Sequence, residues 1–287
     1  MSTVVSRIGR DLVVVSGPDA SSFLQSLLSQ DLDPVAVGEV THALLLQPQG
    51  KLVVDMHALH LAADEWWCIC ERGFGAQLAQ GLLRFKIRVK VEIEDGSELT
   101  AAVAVRGPDA AALVAGSDLA GVTAVPADWP NGPGVELIGP PEAIDTAIAT
   151  LTGAGSEEID AAAYEAWRVE AGVPRQGFDI DETTIAQEAY LERDAVSFTK
   201  GCFLGQELVC RIDSRGHVNR LLRRLRAEAP LERGASVFAA DKEVGTVTTG
   251  AGSSALALLH RTIEPASDVM VRTTAGDVVA RVEAMAT

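Results

Sequence analysis

One hydrophobic rhythm returns three times along the chain. An apolar run, a Gly-Pro step with an acidic residue after it, and a stretch of helical spacing occur in VVVSGPDASSFLQSLL from Val13, AVAVRGPDAAALVAG from Ala102 and VELIGPPEAIDTAIATL from Val135. In each, glycine ends a strand in a turn and proline brings the fixed φ suited to a first helical position. Asp19, Asp109 or Glu142 then sets negative charge at the positive end of the helix dipole. Phe23, Leu24, Leu27 and Leu28 recur at helical spacing and predict the first helix as one apolar stripe. No GxGxxG follows these strands, which disfavours a dinucleotide site. Short strand-helix units with further strands between them predict an α+β fold, each sheet carrying helices on one face.

The intervening strands are HALLLQ from His42, KLVVDMHALHL from Lys51, EWWCIC from Glu65 and LRFKIRVKVEIE from Leu83. The last alternates throughout, so Arg84, Lys86, Arg88 and Lys90 are expected on one face and Phe85, Ile87, Val89 and Val91 on the other. By the same rule Cys68 and Cys70 share a face, and His57 and His60 lie on opposite faces. From about Leu221 the texture changes to short strands with turn residues between them, which predicts a small C-terminal all-β barrel. The hinge before it is expected at IDSRGHVN, residues 212–219.

Composition narrows the function classes. A formal charge of −16 repels phosphate backbones, so no nucleic-acid partner is expected, and an anionic ligand would need a local basic patch. No stretch approaches the roughly 18 apolar residues of a membrane span. The run LVVV is too short, and too closely flanked by Asp11 and Asp19, for a signal peptide, so a soluble, cytoplasmic protein without a membrane partner is expected. Cys68, Cys70, Cys202 and Cys210 form neither a CxxC pair nor a metal-ligand spacing with histidine, and reduced thiols with no metal site are expected. The five histidines form no HxxxH or HExxH array and read as core or surface residues; the basic run RLLRRLRA from Arg220 reads as a solvated face or the lining of a ligand hole.

The chemistry concentrates in KGCFLGQE, residues 200–207. Gly201 and Gly205 permit tight backbone geometry, and ELVCRI reads as a helix, so Cys202 is expected near a helix N-terminus with Lys200 beside it. Both features favour the thiolate, a nucleophile and soft ligand; the alternative is a small buried apolar side chain.

With RVEAG, PRQGFDID, AQEAYLERDAVSF and RGHVNR around it, this motif resembles the ordered blocks of the YgfZ-type tetrahydrofolate-binding proteins of iron-sulfur cluster assembly, relatives of the glycine-cleavage T protein. The likeness extends upstream to GPDASSFLQSLLSQDL and PQGKLVVDM and downstream to DKEVGTVTTG. It implies ferredoxin-like βα subdomains around a central folate-sized hole. The folate-binding region would be residues 1–215, as subdomains of about 1–45 with 155–215 and of 46–154, followed by a barrel at 216–287. It also implies tetrahydrofolate or a polyglutamylated folate as cofactor, with iron-sulfur proteins or their assembly machinery as partners.

Residue by residue, Glu170 of RVEAG corresponds to the glutamate that pairs with the pterin ring, where a carboxylate can accept two parallel N–H bonds. Arg168 either reinforces that site or forms a surface pair. Arg88 and Lys200 are candidates for the anionic folate tail, and Gln206 is a further cofactor candidate. Asp55 stands where the T protein has consecutive aspartates, with Val54 at the first place. Losing one carboxylate weakens transfer chemistry, which needs proton handling at the reacting nitrogen. The expected function is therefore an accessory factor for making or repairing iron-sulfur proteins, with Cys202, Lys200 and Asp55 as the reactive group. The alternatives are a folate-dependent aminomethyltransferase or demethylase acting on a small amine, and a folate-binding scaffold.

Overall fold

The computed structural model describes residues 2–285. The chain opens with β1 (Val4–Ile8) and β2 (Arg10–Ser16), followed by α1 (Ala20–Leu27), β3 (Val40–Leu46), β4 (Leu52–Ala62), β5 (Glu65–Glu71), α2 (Gly75–Leu83) and β6 (Glu92–Asp95). Then come β7 (Ala101–Arg106), α3 (Ala110–Ala115), β8 (Thr123–Pro126), β9 (Gly134–Gly139), α4 (Pro141–Gly153), β10 (Glu157–Glu158), α5 (Ala161–Ala171), α6 (Glu192–Ala195) and α7 (Gln206–Arg215). The last part is all strand: β11 (Arg220–Ala227), β12 (Ser236–Ala239), β13 (Lys242–Ala251), β14 (Ser254–His260), β15 (Asp268–Thr273) and β16 (Gly276–Glu283).

Two compact units result. One holds the residues up to Asp128 with Gly132–Ile159 and Leu191–Arg211; the other holds Trp129–Asn131, Asp160–Tyr190 and the residues from Ile212.

The first unit is built on two five-stranded sheets, ordered β3-β4-β5-β2-β6 and β10-β1-β7-β9-β8. Period-two alternation explains why LVVV is apolar throughout: Val13 and Val15 face α1 and α2, whereas Leu12 and Val14 join Ile69, Leu59, Ala102 and Ile138 between the sheets. The outer face of the second sheet is covered by α3 and α4, with Val103, Val105, Ile144, Ile148 and Leu151 in that core. Cys68 and Cys70 share the face toward α1 and α2; burial pushes the Cys68 thiol up to about 12, and that of Cys70 moves the same way, so both are inert apolar filling.

In the second unit, β11-β14-β13-β12-β15-β16 close into a barrel, which leaves no open edge. Small and medium side chains, among them Val237, Ala255, Ala257, Val271 and Ala280, fill its interior.

Three expectations need correction. The division at about residue 45 fails because Gly9 separates two strands of different sheets: β1 pairs with β7 and β10, while β2 pairs with β5 and β6. The expected hinge is shorter, because α7 continues to Arg215 and only residues 216–219 lie outside regular structure. The expected strand from Leu83 is instead the end of α2, a turn, and the short β6. Main-chain bonds from Phe85 N–H to Leu82 O (3.0 Å) and Lys86 N–H to Leu83 O (3.2 Å) continue the helical winding, and Arg88 takes φ +57°. Alternation is lost with it: Val89 and Val91 pack into the core, while Phe85 and Ile87 are exposed.

The Gly-Pro-acid turns are real, but Asp19 acts differently from expectation. It makes no side-chain cap on α1, and its carboxylate instead accepts from Lys90 N–H at 2.7 Å. Pro141 and Glu142 do occupy the first turn of α4.

Candidate functional site

The signature loop lies between α6 and α7 and is fixed at both ends within the first unit. On one side the Lys200 ammonium donates to the carbonyls of Gln25 (2.7 Å), Leu28 (2.8 Å) and Gln30 (2.8 Å). Gln25 lies in the last turn of α1 and Leu28 is its C-cap, so two of these oxygens sit at the negative end of the helix dipole, and Gln30 follows just beyond. Burial pushes the Lys200 amine down to about 8, with Asp31 and Asp33 opposing, and three acceptor oxygens require the ammonium form. Lys200 is thus a helix cap, and its cation is engaged by α1 rather than held ready for the neighbouring thiol.

On the other side Gly205, at φ +81°, packs against the β3–β4 turn at Gly50, itself at φ +78°. A Cβ on Gly205 would lie 2.5 Å from Gln47 O and 2.8 Å from Leu46 Cβ; a Cβ on Gly50 would lie 2.7 Å from Leu208 Cβ. The glycines of PQGK and LGQE are therefore two halves of one backbone contact. Cys202, between these anchors, is exposed, and Gly201 before it faces open space. Phe203 is buried, with the Lys200 ammonium 5.7 Å from its ring centroid. Gln206 opens α7, half-buried, four residues past the thiol.

Ser29 adds a stitch that the sequence did not signal. Its buried hydroxyl donates to Ala195 O (2.6 Å) and accepts from Leu44 N–H (2.8 Å), while its carbonyl accepts from Ser197 N–H (3.0 Å).

Asp55 is not an isolated carboxylate. His42 and His57 face each other across the β3–β4 pair and stack with centroids 5.1 Å apart. His42 Nε2 meets Asp55 at 2.5 Å and Nδ1 meets Asp194 of α6 at 3.2 Å. Burial opposes charge on His42, but Asp55 and Asp194 outweigh it and raise the imidazolium to about 10. Burial and the charge of His42 together push His57 down to about 4, so at neutral pH a charged ring lies on a neutral one. Against its own burial, Asp55 is drawn below the usual carboxylate range by His42. Arg10 bridges Glu71 (2.6 Å) and Glu136 (2.7 Å); burial opposes the Glu136 charge, but Arg10 and Arg106 hold it at about 2. Sequence reasoning read both histidines as bland. The usable signal was parity, since residues 55 and 57 share one face of a strand.

Glu170 and Arg168 lie on α5 in the second unit. The Glu170 carboxylate is half-exposed; it accepts from Arg226 at 2.5 Å and from the Ser254 hydroxyl at 3.3 Å. Arg168 is buried, neither a surface pair nor free to reach a ligand. It binds Glu165 (2.7 Å) and Asp179 (2.8 Å) and donates to Thr249 and the carbonyl of Val173. A β-bulge between Val247 and Thr249 turns both Thr248 (2.5 Å) and Thr249 (2.8 Å) toward that same Asp179. Arg88 sits in the exposed turn after α2, so the strand-borne cationic stripe expected for it does not form.

With this geometry, the likenesses to known proteins can be placed. Residues 6–122 match the family described as GCVT N-terminal domain, and residues 220–285 the one described as CAF17, C-terminal beta-barrel domain. The aminomethyltransferase T of the glycine cleavage system from Bartonella henselae superposes with a TM-score of 0.87 over 99% of this chain and 86% of its own, at 20% identity, which defines the fold class. The human iron-sulfur cluster assembly factor IBA57, mitochondrial, is 30% identical over 279 residues, spanning 88% of this chain and 75% of that protein. An aminomethyltransferase of Herpetosiphon aurantiacus is 28% identical over 262 residues, spanning 84% and 72%. The chain belongs to the YgfZ/CAF17-type branch of the aminomethyltransferase superfamily.

Proposed function

We propose that this protein is a tetrahydrofolate-binding accessory factor in the assembly or repair of iron-sulfur proteins, with Cys202 as its acting thiol. The observation that carries the reading is the exposed thiol on a loop pinned by Lys200 and Gly205. Such a loop presents sulfur to a macromolecular client in a fixed pose, with little ordering cost on contact. The IBA57 relative supplies the iron-sulfur context. Four free cysteines fit a reducing compartment such as the cytoplasm.

Glu170 suits a pterin because each carboxylate oxygen has two lone-pair directions: Arg226 and Arg224 face one oxygen, and the other accepts, among the described residues, only from the Ser254 hydroxyl. The bound cofactor would supply a reduced pterin nitrogen able to carry a one-carbon unit.

Two variants test the reading. Cys202→Ala should leave folding and tetrahydrofolate affinity unchanged while abolishing support of an iron-sulfur enzyme such as aconitase in cells that lack the native protein. Full support by that variant would remove the thiol role. Glu170→Ala should weaken tetrahydrofolate binding in calorimetric titration by about tenfold or more, the loss expected of a charge-assisted pair.

A second reading, a folate-dependent aminomethyltransferase or demethylase, draws support from the Herpetosiphon relative and from Asp55. Against it, Asp55 is committed to His42, and Val54 replaces the companion carboxylate. Formation of methylene-tetrahydrofolate from small amines would promote it; no turnover over a broad amine panel would dismiss it.

A further inference from the structure

The turn after α2 combines two features that surfaces usually keep apart. Leu83 (47% exposed), Phe85 (38%) and Ile87 (72%) lie open to solvent within five residues. Arg84, Lys86, Arg88 and Lys90 interleave with them on a chain whose formal charge is −16. Lys86 pairs with Glu92 at 3.0 Å, whereas no carboxylate among the described residues pairs with Arg84, Arg88 or Lys90.

The turn is held at its base. Asp19 receives Lys90 N–H at 2.7 Å, Val89 and Val91 are packed into the core, and Gly17 lets the Lys90 carbonyl approach to where a Cβ would stand only 2.4 Å away. Ile87 N–H closes on Phe85 O at 2.8 Å, and Arg88 adopts φ +57°, a conformation that costs a non-glycine residue about 1–2 kcal/mol. Outward apolar side chains, unpaired cations and a strained residue on a fixed base are the marks of a surface shaped for contact.

We propose that residues 83–90 form a docking surface for an acidic protein segment that carries apolar side chains. Charge complementarity sets the sign of the partner: an acidic segment gains locally from three unpaired cations, and close approach lies within a Debye length of roughly 8–10 Å. An anionic membrane is disfavoured, because an extended charged plane meets the rest of a −16 chain as well as the turn. A pure polycarboxylate is disfavoured too, because it offers nothing to Leu83, Phe85 and Ile87. A patch this small belongs with transient partners rather than permanent ones.

The test uses the full chain and a fluorescein-labelled peptide of alternating glutamate and leucine, followed by anisotropy at low and at physiological salt. The wild type is expected to bind it, more weakly as salt rises; failure to bind overturns the proposal. Arg84→Glu with Lys90→Glu should weaken binding by about tenfold or more, and Ile87→Ser by about threefold, with unchanged thermal unfolding. Equal affinity in both variants overturns it. Should charge reversal disturb folding, Ile87→Ser decides alone. Pentaglutamate should bind more weakly than the mixed peptide, and equal affinity would reassign the turn to a polycarboxylate tail. Co-sedimentation with phosphatidylserine and phosphatidylcholine vesicles, lost in the same variants, would reassign it to a membrane.

Discussion

In one unit His42 stands between Asp55 and Asp194; in the other Arg168 stands between Glu165 and Asp179. Both are cations shared by two carboxylates, and both tie a helix to a neighbouring segment. They differ in chemistry. A guanidinium keeps its charge at every accessible pH and spreads five donors in a fixed fork, so the Arg168 network is a permanent joint. An imidazolium can surrender its proton, and its two nitrogens reach only two partners. The permanent joint lies wholly inside the second unit, whereas the titratable one holds α6, the element that leads into the Cys202 loop.

The contrast can be broken or sharpened by measurement. Arg168→Met should have the largest effect, since it leaves the fully buried Asp179 carboxylate without a cation; about 3–5 kcal/mol should be lost in urea unfolding. A loss under about 1 kcal/mol would show the joint to be dispensable.

Gly205→Ala should cost about 2–4 kcal/mol through a left-handed φ and a Cβ 2.5 Å from Gln47 O. It should also expose the signature loop to proteolysis, and full protection there would mean that Lys200 and His42 hold the loop unaided.

His42→Gln should cost less, about 1–3 kcal/mol, because Asp194 is largely exposed and can rehydrate. The sign with pH distinguishes it. With a folded value raised to about 10, His42 contributes stability that is fully present below its unfolded value near 6.5 and is lost as pH rises toward 10. His57, lowered to about 4, works in the other direction: its contribution is present above 6.5 and is lost as pH falls toward 4. Wild-type stability should therefore decline on the alkaline side, and His42→Gln should flatten that decline. An unchanged alkaline slope would remove the imidazolium bridge from the account.

The smallest effect should be that of Arg84→Gln, at an exposed cation, within about 0.5 kcal/mol and serving as the baseline for both joints.

Much of this was legible in residue order. The Gly-Pro-acid turns marked strand ends, the short strands after Leu221 marked the barrel, and KGCFLGQE with its flanking blocks marked the family. What misled was alternation itself: RFKIRVK carries the period of a strand, yet its odd positions divide between Val89 and Val91 inside and Phe85 and Ile87 outside. Arg168, next to a binding candidate, resembled a ligand-facing cation until burial placed it among Glu165, Asp179 and Thr249.

By itself, then, the sequence determined which segments become strand and helix over most of the chain, the closing barrel, and the residue types available for chemistry, because these depend on local spacing and composition. Only the tertiary structure decided that β1 and β2 part into different sheets, that Lys200 caps α1, that Gly50 meets Gly205, and that His42 joins Asp55 to Asp194. Each of these is a contact between residues far apart in the chain, and its free energy comes from desolvation and geometry that exist only once the chain has folded.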